Sequence, residues 1–495
     1  MANNIISNKI WNMADVLRDE GVDARDYLAQ ITYLLFLKMA DEYSSEPNYD
    51  LNIPSGCDWK TLKSKTGEDV INTYNEILKT LGNSDGILKE IYAESRNSIK
   101  TPVTLSRVIS MIDSVQWVPL SDDVKGEIYE ELLAKTTSDG GAGAGQYFTP
   151  RPLINAIVEC VCLNPDATIS DPCCGSGGFL LASKLFIEKT YGGSLTTPQK
   201  KHLKLTMFSG SEIDPDVYKT CLMNLFLHHI GDIKNMPNIS RRDSLLSAPN
   251  GGERVDFVLT NPPFGIKSNY SFINKDGSIE RESTTYNRQD FVAPSSNKQL
   301  NFLQHIYSML KKNGTAAVVL PDSVLSGPGA GETIRRHLLK NADLHTILRL
   351  PTGLFYAQGV KANVLFFQKK VASASNNTKE VWIYDLRTDM HFTLKKNPLT
   401  SKDLEEFIKC YNPQNREDRY ESYNPVENPN GRWRRFTYHE IIERDNASLD
   451  IKWIKNKVEY DEVSIQELVD NIKLKSSNIA EAVLKLEELI KGLEE

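Results

Sequence analysis

Residues 170–186 read SDPCCGSGGFLLASKLF. In this stretch the end of a short predicted strand passes through a glycine-rich turn into a helical pattern. Glycine lets the backbone approach a ligand closely, and the amides at the start of the following helix offer hydrogen-bond donors. The stretch therefore indicates either a nucleotide-binding loop or a simple turn. The candidate ligand-binding residues in it are Gly175, Gly177 and Gly178.

Strands and helices alternate around this turn. Most of the gaps between the predicted strands are filled by longer helical patterns, and such alternation predicts an α/β fold with a mostly parallel, doubly wound, Rossmann-like sheet. Ligands bind such sheets beyond the carboxyl ends of the strands, so those ends are where site residues are expected. The short apolar runs that predict strands are 168–170, 205–210, 255–260, 315–320, 345–350 and 363–368.

The remaining chain divides by its periodicity. Residues 1–137 have apolar positions three or four apart, which predicts an α-helical N-terminal domain before an α/β domain at 138–375. The glycine-rich run at 138–145 is either a flexible linker or a loop close to a ligand. Residues 376–460 form a weakly patterned extension, and 461–495 predict a C-terminal heptad helix that packs within the chain or on a partner.

Composition excludes several classes of protein. The chain has 495 residues, of which 40% are hydrophobic, so it can bury a large core. It shows no signal-peptide layout and no apolar stretch long enough to span a bilayer, so we expect a cytoplasmic protein with no membrane partner. The seven cysteines lack zinc-ligand spacing, and no metal site is predicted. A net charge of -7 argues against a chain that coats nucleic acid unaided, since phosphate contacts need clustered Lys and Arg.

Two further predicted strand ends carry acids. In SGSEIDP, Glu212 lies where doubly wound folds place an acid that binds ribose hydroxyls. The alternative is that Glu212 caps the helix that begins near Asp214 and Pro215. Its separation from Asp171 exceeds the usual spacing of about twenty residues, so the first crossover must contain an insertion, YGGSLTTPQK. In RRDSLL, Asp243 is either an acceptor for the exocyclic amine of a bound adenine or a solvated surface charge.

The fourth predicted strand runs into a proline-rich loop, VDFVLTNPPFG, at residues 255–265. Two prolines in series restrict the loop and fix the direction of its carbonyls. An Asn side-chain carbonyl and a Pro backbone carbonyl can together hold both hydrogens of an NH2 group, and a Phe ring can stack on the ring that carries the amine. A purely structural turn is the alternative. The candidate catalytic residues are Asn261, Pro262, Pro263 and Phe264.

These motifs together resemble a known family. DPCCGSGGFL, SEIDP and NPPFG, preceded by GQYFTPRPL at 145–153, look like the motifs of amino-group DNA methyltransferases that use S-adenosylmethionine, in the order of the gamma-type adenine-N6 enzymes. More narrowly, from about residue 8 to residue 370 the chain resembles the modification subunit of type I restriction-modification systems. The segments typical of that subunit are IWNMADVLRD, TYLLFLKMADEY, LPDSVLSGPGAGETIRRHLL and GVKANVLFFQK. Cys173 stands where the family more often has Ala.

The resemblance implies an activity and partners. The methyl group would pass from S-adenosylmethionine directly to N6 of an adenine that is flipped out of the duplex and held by residues 261–264. The implied partners are DNA with a specific site, a separate specificity subunit with two modification subunits per specificity subunit, and a nuclease or translocase subunit. Besides the three glycines of the turn, Glu212 and Asp243, the implied cofactor-binding residues are Asp171, Ser176, Gln146, Tyr147, Phe148, Thr149, Pro150 and Arg151.

Two other functions compete with this interpretation. A protein glutamine-N5 methyltransferase also presents Asn-Pro-Pro before an aromatic residue, but that family usually has Tyr there and a much shorter chain. An inactive cofactor-binding scaffold of a defence complex would not need both Glu212 and Asn261, and both are present.

Overall fold

The computed structural model describes residues 2–44, 51, 53–117, 149–232, 234–264, 269–273, 279–283, 285–355, 360–393 and 397–454. The predicted heptad helix and the glycine-rich run at 138–145 lie outside these residues. Within the described ranges, no helix is both long and apolar enough to cross a membrane.

Helices form the N-terminal part of the described chain, as the apolar spacing predicts. Their buried apolar residues, such as Leu17, Ile31 and Leu34, belong to one core cluster. Three-to-four spacing produces this result because it places apolar side chains on one face of each helix. The helices are α1 Ala2–Asp19, α2 Ala24–Tyr43, α3 Trp59–Lys63, α4 Glu68–Gly82, α5 Gly86–Tyr92 and α6 Pro102–Asp113.

A nine-stranded sheet, in the order β11-β10-β8-β9-β7-β4-β1-β2-β3, follows in the described chain. All its strands run in one direction except β9 and β11, which are antiparallel to their neighbours. The predicted mostly parallel α/β sheet is therefore confirmed. Its strands are β1 Ile169–Asp171, β2 Phe208–Glu212, β3 Ile239–Arg241, β4 Val255–Thr260, β7 Leu310–Pro321, β8 Ala342–Arg349, β9 Ala362–Lys369, β10 Glu380–Asp385 and β11 Trp433–Thr437; β5 Asn269–Ile273 and β6 Ile279–Ser283 form a separate hairpin.

Helices cover both faces of the sheet. Successive residues of one strand, such as Val258 and Leu259 of β4, belong to different core clusters because side chains alternate across a strand. The segment predicted as an insertion in the first crossover, residues 191–200, runs from the end of α8 (Gly178–Tyr191) through a turn into α9 (Thr197–Leu205), which begins with a capping box formed by Thr196 and Gln199. The helices are α7 Arg151–Val161, α8 Gly178–Tyr191, α9 Thr197–Leu205, α10 Pro215–Leu227, α11 Lys298–Met309, α12 Asp322–Ser326, α13 Ala330–Asn341, α14 Ser401–Tyr411 and α15 Tyr438–Ile442.

The sheet continues beyond the boundary expected at residue 375. Strand β10 pairs in parallel with β8, and β11 pairs antiparallel with β10. The Trp382 and Trp433 rings stack across these two strands with centroids 5.2 Å apart. The weakly patterned segment therefore contributes two strands to the same sheet, and residue 375 is not where the sheet ends.

The N-terminal helices pack against α10, the helix that follows β2. Val217 and Phe226 of α10 belong to the core cluster of the N-terminal helices. Polar contacts add to this packing: the Tyr43 hydroxyl donates to the carbonyl of Leu227 at 3.0 Å, and Lys219 donates to the carbonyl of Ala93 at 2.6 Å. The N-terminal helices thus contact the helix that leads away from the Glu212 strand end.

Candidate active site

The candidate residues share one edge of the sheet because of the strand order. Strands β3, β2, β1 and β4 are consecutive and parallel, so their carboxyl ends at Arg241, Glu212, Asp171 and Thr260 line the same edge. The chain moves outward from β1 through β2 to β3 and then returns to β4 on the other side of β1. Ligands bind open α/β sheets where the strand order reverses in this way. The glycine turn after β1 therefore lies between the strand ends that carry Glu212 and Asn261.

The turn between β1 and α8 needs glycine at two positions. Gly175 and Gly177 have φ angles of 53° and 86°, which other L-residues rarely adopt. A Cβ atom on Gly177 would also lie 3.0 Å from Cδ2 of Leu225 and 3.2 Å from Sγ of Cys221 on α10.

Helix α10 also holds the turn by a hydrogen bond. The carbonyl of the buried Ser176 accepts a 2.8 Å hydrogen bond from Nδ2 of Asn224. The turn is therefore fixed by α10, and helix α8 begins at Gly178.

Asp171 connects the glycine turn to the loop after β4. Its Oδ1 accepts hydrogen bonds from the Thr260 hydroxyl at 2.6 Å and from the backbone amide of Cys173 at 2.9 Å. The carboxyl is buried, and this burial raises its pKa to about 7, with a further contribution from the charge of Glu212. Thr260 immediately precedes Asn261, so the two predicted loops are joined by one short hydrogen bond.

The raised pKa of Asp171 predicts a pH-dependent stability. A carboxyl whose pKa is higher in the folded than in the unfolded chain stabilises the fold fully only below the unfolded value, and this contribution is lost as pH rises through about 7. Asp171→Asn keeps the acceptor oxygen and cannot ionise. We therefore expect the variant to gain stability relative to the wild type from about pH 4 to about pH 7, by about 1.4 kcal/mol for each unit of the pKa shift. Urea unfolding at a series of pH values measures this, and parallel pH curves for the two proteins would contradict it.

Glu212 is held at the end of β2 by backbone amides. Its Oε1 accepts from the amides of Ile213 and Asp214 at 2.8 and 2.9 Å, and its Oε2 accepts from the amide of Gly175 at 3.1 Å. Burial raises the pKa of the carboxyl, while the amides act in the opposite direction. Helix α10 is capped by Asp214, whose side chain accepts from the amides of Asp216 and Val217. The helix-capping alternative for Glu212 is therefore wrong.

Asp243 follows β3 and contacts a segment that the sequence did not connect with it. Its Oδ1 accepts from the amide of Leu245 at 2.9 Å, and its Oδ2 accepts from the Tyr286 hydroxyl at 3.2 Å. Tyr286 lies in the segment between β4 and α11. While the preceding Arg241 and Arg242 are exposed, Asp243 is half-buried, so it is not a fully solvated charge.

The two polar atoms of the Asn261 side chain differ in their contacts. Its Nδ2 donates a 2.9 Å hydrogen bond to the hydroxyl of Thr149. Its Oδ1 is buried and has no hydrogen-bond partner among the described residues. Thr149, predicted as a cofactor contact, thus contacts the proline-rich loop after β4. Pro150 and Arg151 lie at the start of helix α7, and Gln146, Tyr147 and Phe148 fall outside the described residues.

An aromatic contact fixes the end of the proline-rich loop. The half-buried Phe264 ring meets the buried Phe355 ring edge to face, with centroids 5.2 Å apart and an interplanar angle of 87°. Phe355 lies in the connection between β8 and β9 and was not predicted as a site residue. It stands six residues after the end of β8 at Arg349, too far from the strand to carry a local signal.

The geometry of the edge fits a nucleoside-type ligand. The two oxygens of a carboxylate offer about four acceptor sites, and the described contacts of Glu212 use three of them, which leaves one for a ribose hydroxyl. Beside the acids, Ile213 and Leu246 are large apolar residues with exposed fractions of 62% and 61%. Exposed apolar side chains next to fixed acceptors suit a flat ring with polar substituents. Neither residue was predicted from the sequence. Ile213 carries a readable signal because it directly follows the acid at the end of β2, whereas Leu246 lies three residues after Asp243.

Two family profiles match the chain. Residues 120–459 match the family described as N-6 DNA Methylase, and residues 6–112 match the HsdM N-terminal domain. The first match spans the glycine turn, Glu212 and the Asn261 loop. Together the two profiles cover most of the sequence.

Individual proteins are similar over nearly the same length. The chain is 36% identical to the type I restriction enzyme EcoKI methylase subunit of Escherichia coli (strain K12), over 99% of this chain and 94% of that protein. It is 36% identical to the StySPI methylase subunit of Salmonella potsdam, over 94% of this chain and 91% of that protein. Among solved structures, the crystal structure of the EcoKI M protein shares 33% identity and a TM-score of 0.55, covering 91% of this chain and 90% of that one.

Proposed function

The chain belongs to the family of type I restriction enzyme methylase subunits, and we propose that the edge formed by β3, β2, β1 and β4 is its catalytic centre. The protein is an S-adenosylmethionine-dependent DNA methyltransferase that modifies N6 of adenine. The observation that carries the proposed site is the buried Asn261 Oδ1, which accepts no hydrogen bond from any described residue. Such an atom is an acceptor in place for the substrate amine.

The cofactor would be held on the β2 and β3 side of this edge. When bound, S-adenosylmethionine supplies the electrophilic methyl group. Glu212 would accept from a ribose hydroxyl, and Asp243 from the adenine amine of the cofactor, since both carboxylates are fixed by neighbouring donors. The complete proposed set is Gln146, Tyr147, Phe148, Thr149, Pro150, Arg151, Asp171, Gly175, Ser176, Gly177, Gly178, Glu212 and Asp243.

The target amine would be held by the loop after β4. An amine conjugated to a ring is a poor nucleophile because its lone pair is delocalised. The Asn261 side-chain carbonyl and the Pro262 backbone carbonyl would each accept one amine hydrogen, which favours a tetrahedral nitrogen with its lone pair directed at the methyl group. Pro263 restricts Pro262 to an extended conformation, so this second carbonyl is oriented before the substrate arrives.

A flipped base needs a surface on which to stack once it has left the DNA duplex. Extrusion of a base costs a few kcal/mol of lost stacking and pairing. Phe264 would recover part of this, since stacking of a base on an aromatic ring contributes about 1 to 3 kcal/mol. The edge-to-face contact with Phe355 holds the Phe264 ring in one orientation.

Sequence recognition is assigned to a partner. The chain carries a net charge of -7, which is unfavourable for unaided binding to phosphates. We propose a complex in the cytoplasm in which two copies of this chain bind one specificity subunit on DNA, with a nuclease or translocase subunit joining for restriction. The relatives named above are themselves subunits of type I restriction enzymes.

This division of labour predicts a strong dependence on the specificity subunit. The full chain, purified alone and with that subunit, would be incubated with DNA and S-adenosylmethionine, and methylated positions would be mapped by sequencing. We expect N6-methyladenine at one site sequence with the complex, and at least about tenfold less with the chain alone, because phosphate contacts supply most of the non-specific affinity. Robust site-specific methylation by the isolated chain would falsify the proposed division.

A further inference from the structure

Thr149 contacts the proposed catalytic asparagine and not only the cofactor side of the site. Its hydroxyl accepts the 2.9 Å hydrogen bond from Nδ2 of Asn261, a residue 112 positions away in sequence. We propose that Thr149 is a positioning residue, which fixes the Asn261 amide so that its oxygen faces the target amine. The inference rests on the function proposed for Asn261 and adds a specific role for the threonine.

The orientation of a carboxamide decides what it can bind. Its oxygen accepts hydrogen bonds and its nitrogen donates them, so a rotated Asn261 would present NH2 to the NH2 of adenine. With Nδ2 engaged by Thr149, Oδ1 is the end left available, and no partner for it exists within the described ranges. An unsatisfied buried acceptor costs about 1 to 3 kcal/mol, and binding of the target amine would remove that cost.

Thr149 is held on a rigid element. The proline that follows it restricts Thr149 to an extended backbone. The Pro150 carbonyl then accepts from the amides of Leu153 and Ile154, which starts helix α7. Leu153 and Ile154 are both buried in the core cluster that also contains residues of β1 and β4. The threonine therefore directly precedes the N-cap of a packed helix, where its hydroxyl loses little freedom by holding Asn261.

The backbone of Asn261 is anchored independently of Thr149. The preceding Thr260 is fully buried and donates to Asp171, and the following Pro262 is also buried. Loss of the threonine hydroxyl would therefore release the Asn261 side chain without moving its backbone. This separates a positioning role from a role in folding.

The two roles open to Thr149 make different predictions. If its hydroxyl binds only the cofactor, its removal weakens cofactor affinity and leaves the chemical step of the saturated enzyme unchanged. If it orients Asn261, cofactor affinity is retained and the rate of methyl transfer at saturation falls. Direct measurement of both quantities distinguishes them.

The test compares Thr149→Val, which keeps the shape and loses the acceptor, with Thr149→Ser, which keeps the hydroxyl. Thr149→Ala removes the acceptor without the added methyl group and guards against a folding defect in the valine variant. Each full chain is assembled with the specificity subunit. Methyl transfer is measured in single turnovers with saturating DNA and cofactor, and cofactor affinity is measured by calorimetry.

We expect the valine and alanine variants to transfer methyl groups at least about tenfold more slowly, with cofactor affinity within about twofold of wild type and serine restoring most of the rate. Valine and alanine rates equal to wild type, a loss confined to cofactor affinity, or a serine variant as slow as valine would each overturn the proposal. Failure of the wild-type complex to methylate adenine would instead refute the proposed function itself.

Discussion

Asn261→Ala is expected to slow methyl transfer by at least about a hundredfold, the effect seen when one pre-organised group that stabilises a transition state is removed. The substitution deletes the buried Oδ1 acceptor, which no described residue engages, and the Nδ2 donor to Thr149. None of the contacts described for Glu212 or the glycine turn involves this side chain. Cofactor affinity should therefore stay within about twofold of wild type.

The measurement pairs single-turnover methyl transfer with calorimetric titration of S-adenosylmethionine. Asn250→Ala is the matched control, because Asn250 is an exposed asparagine that caps a short 3-10 turn just before β4, at the opposite end of the same strand. It should methylate DNA at the wild-type rate. An Asn261→Ala enzyme that also keeps the wild-type rate would remove the asparagine from the chemistry.

Glu212→Gln is expected to weaken S-adenosylmethionine binding by about 10- to 150-fold, which corresponds to the loss of about 1.5 to 3 kcal/mol from hydrogen bonds to a charged group. Glutamine is the informative replacement because it keeps one acceptor oxygen for the amides of Ile213 and Asp214. Alanine would leave the amides of Gly175, Ile213 and Asp214 without this acceptor. A Glu212→Ala protein should therefore also lose stability, which would mix a folding defect with a binding defect.

Asp214→Asn provides the control for the removed charge. It eliminates one negative charge two residues away, while asparagine caps helices about as well as aspartate does, so helix α10 keeps its cap at this position. Its cofactor affinity should remain within about twofold of wild type. Equal affinities for Glu212→Gln and wild type would mean that Glu212 only organises the turn at the end of β2.

The alternation of elements and the chemistry at the strand ends were predictable from local sequence. A run such as 255–260 is apolar because both faces of its strand are buried, and the prolines after it cannot continue the sheet hydrogen bonding. Glu212 is the last residue of β2, and Asp243 lies two residues after the end of β3. Signals of this kind lie within about ten residues of each other and depend on backbone geometry and side-chain periodicity.

Contacts between distant segments were not predictable in this way. Thr149 was assigned to the cofactor because it belongs to the same motif as its neighbours, yet its hydroxyl contacts Asn261. Tyr286 contacts Asp243 from the segment between β4 and α11, whose sequence carries no strong pattern. Phe355 contacts Phe264 from the connection after β8. Strands β10 and β11 were missed because most of their segment is polar and irregular, and β11 itself reads WRRFT, with two arginines.

The sequence by itself determined which residue types stand at the end of each strand and in what order along the chain, because propensity, periodicity and turn chemistry act over short distances. Only the tertiary structure decided that β1 lies between β2 and β4, which places the glycine turn between Glu212 and Asn261. It also decided that a threonine hydroxyl accepts from the nitrogen of Asn261, while the buried oxygen of that side chain has no partner among the described residues. The physical reason is that strand pairing and side-chain contacts between distant segments depend on how whole faces pack together, which no short stretch of sequence specifies.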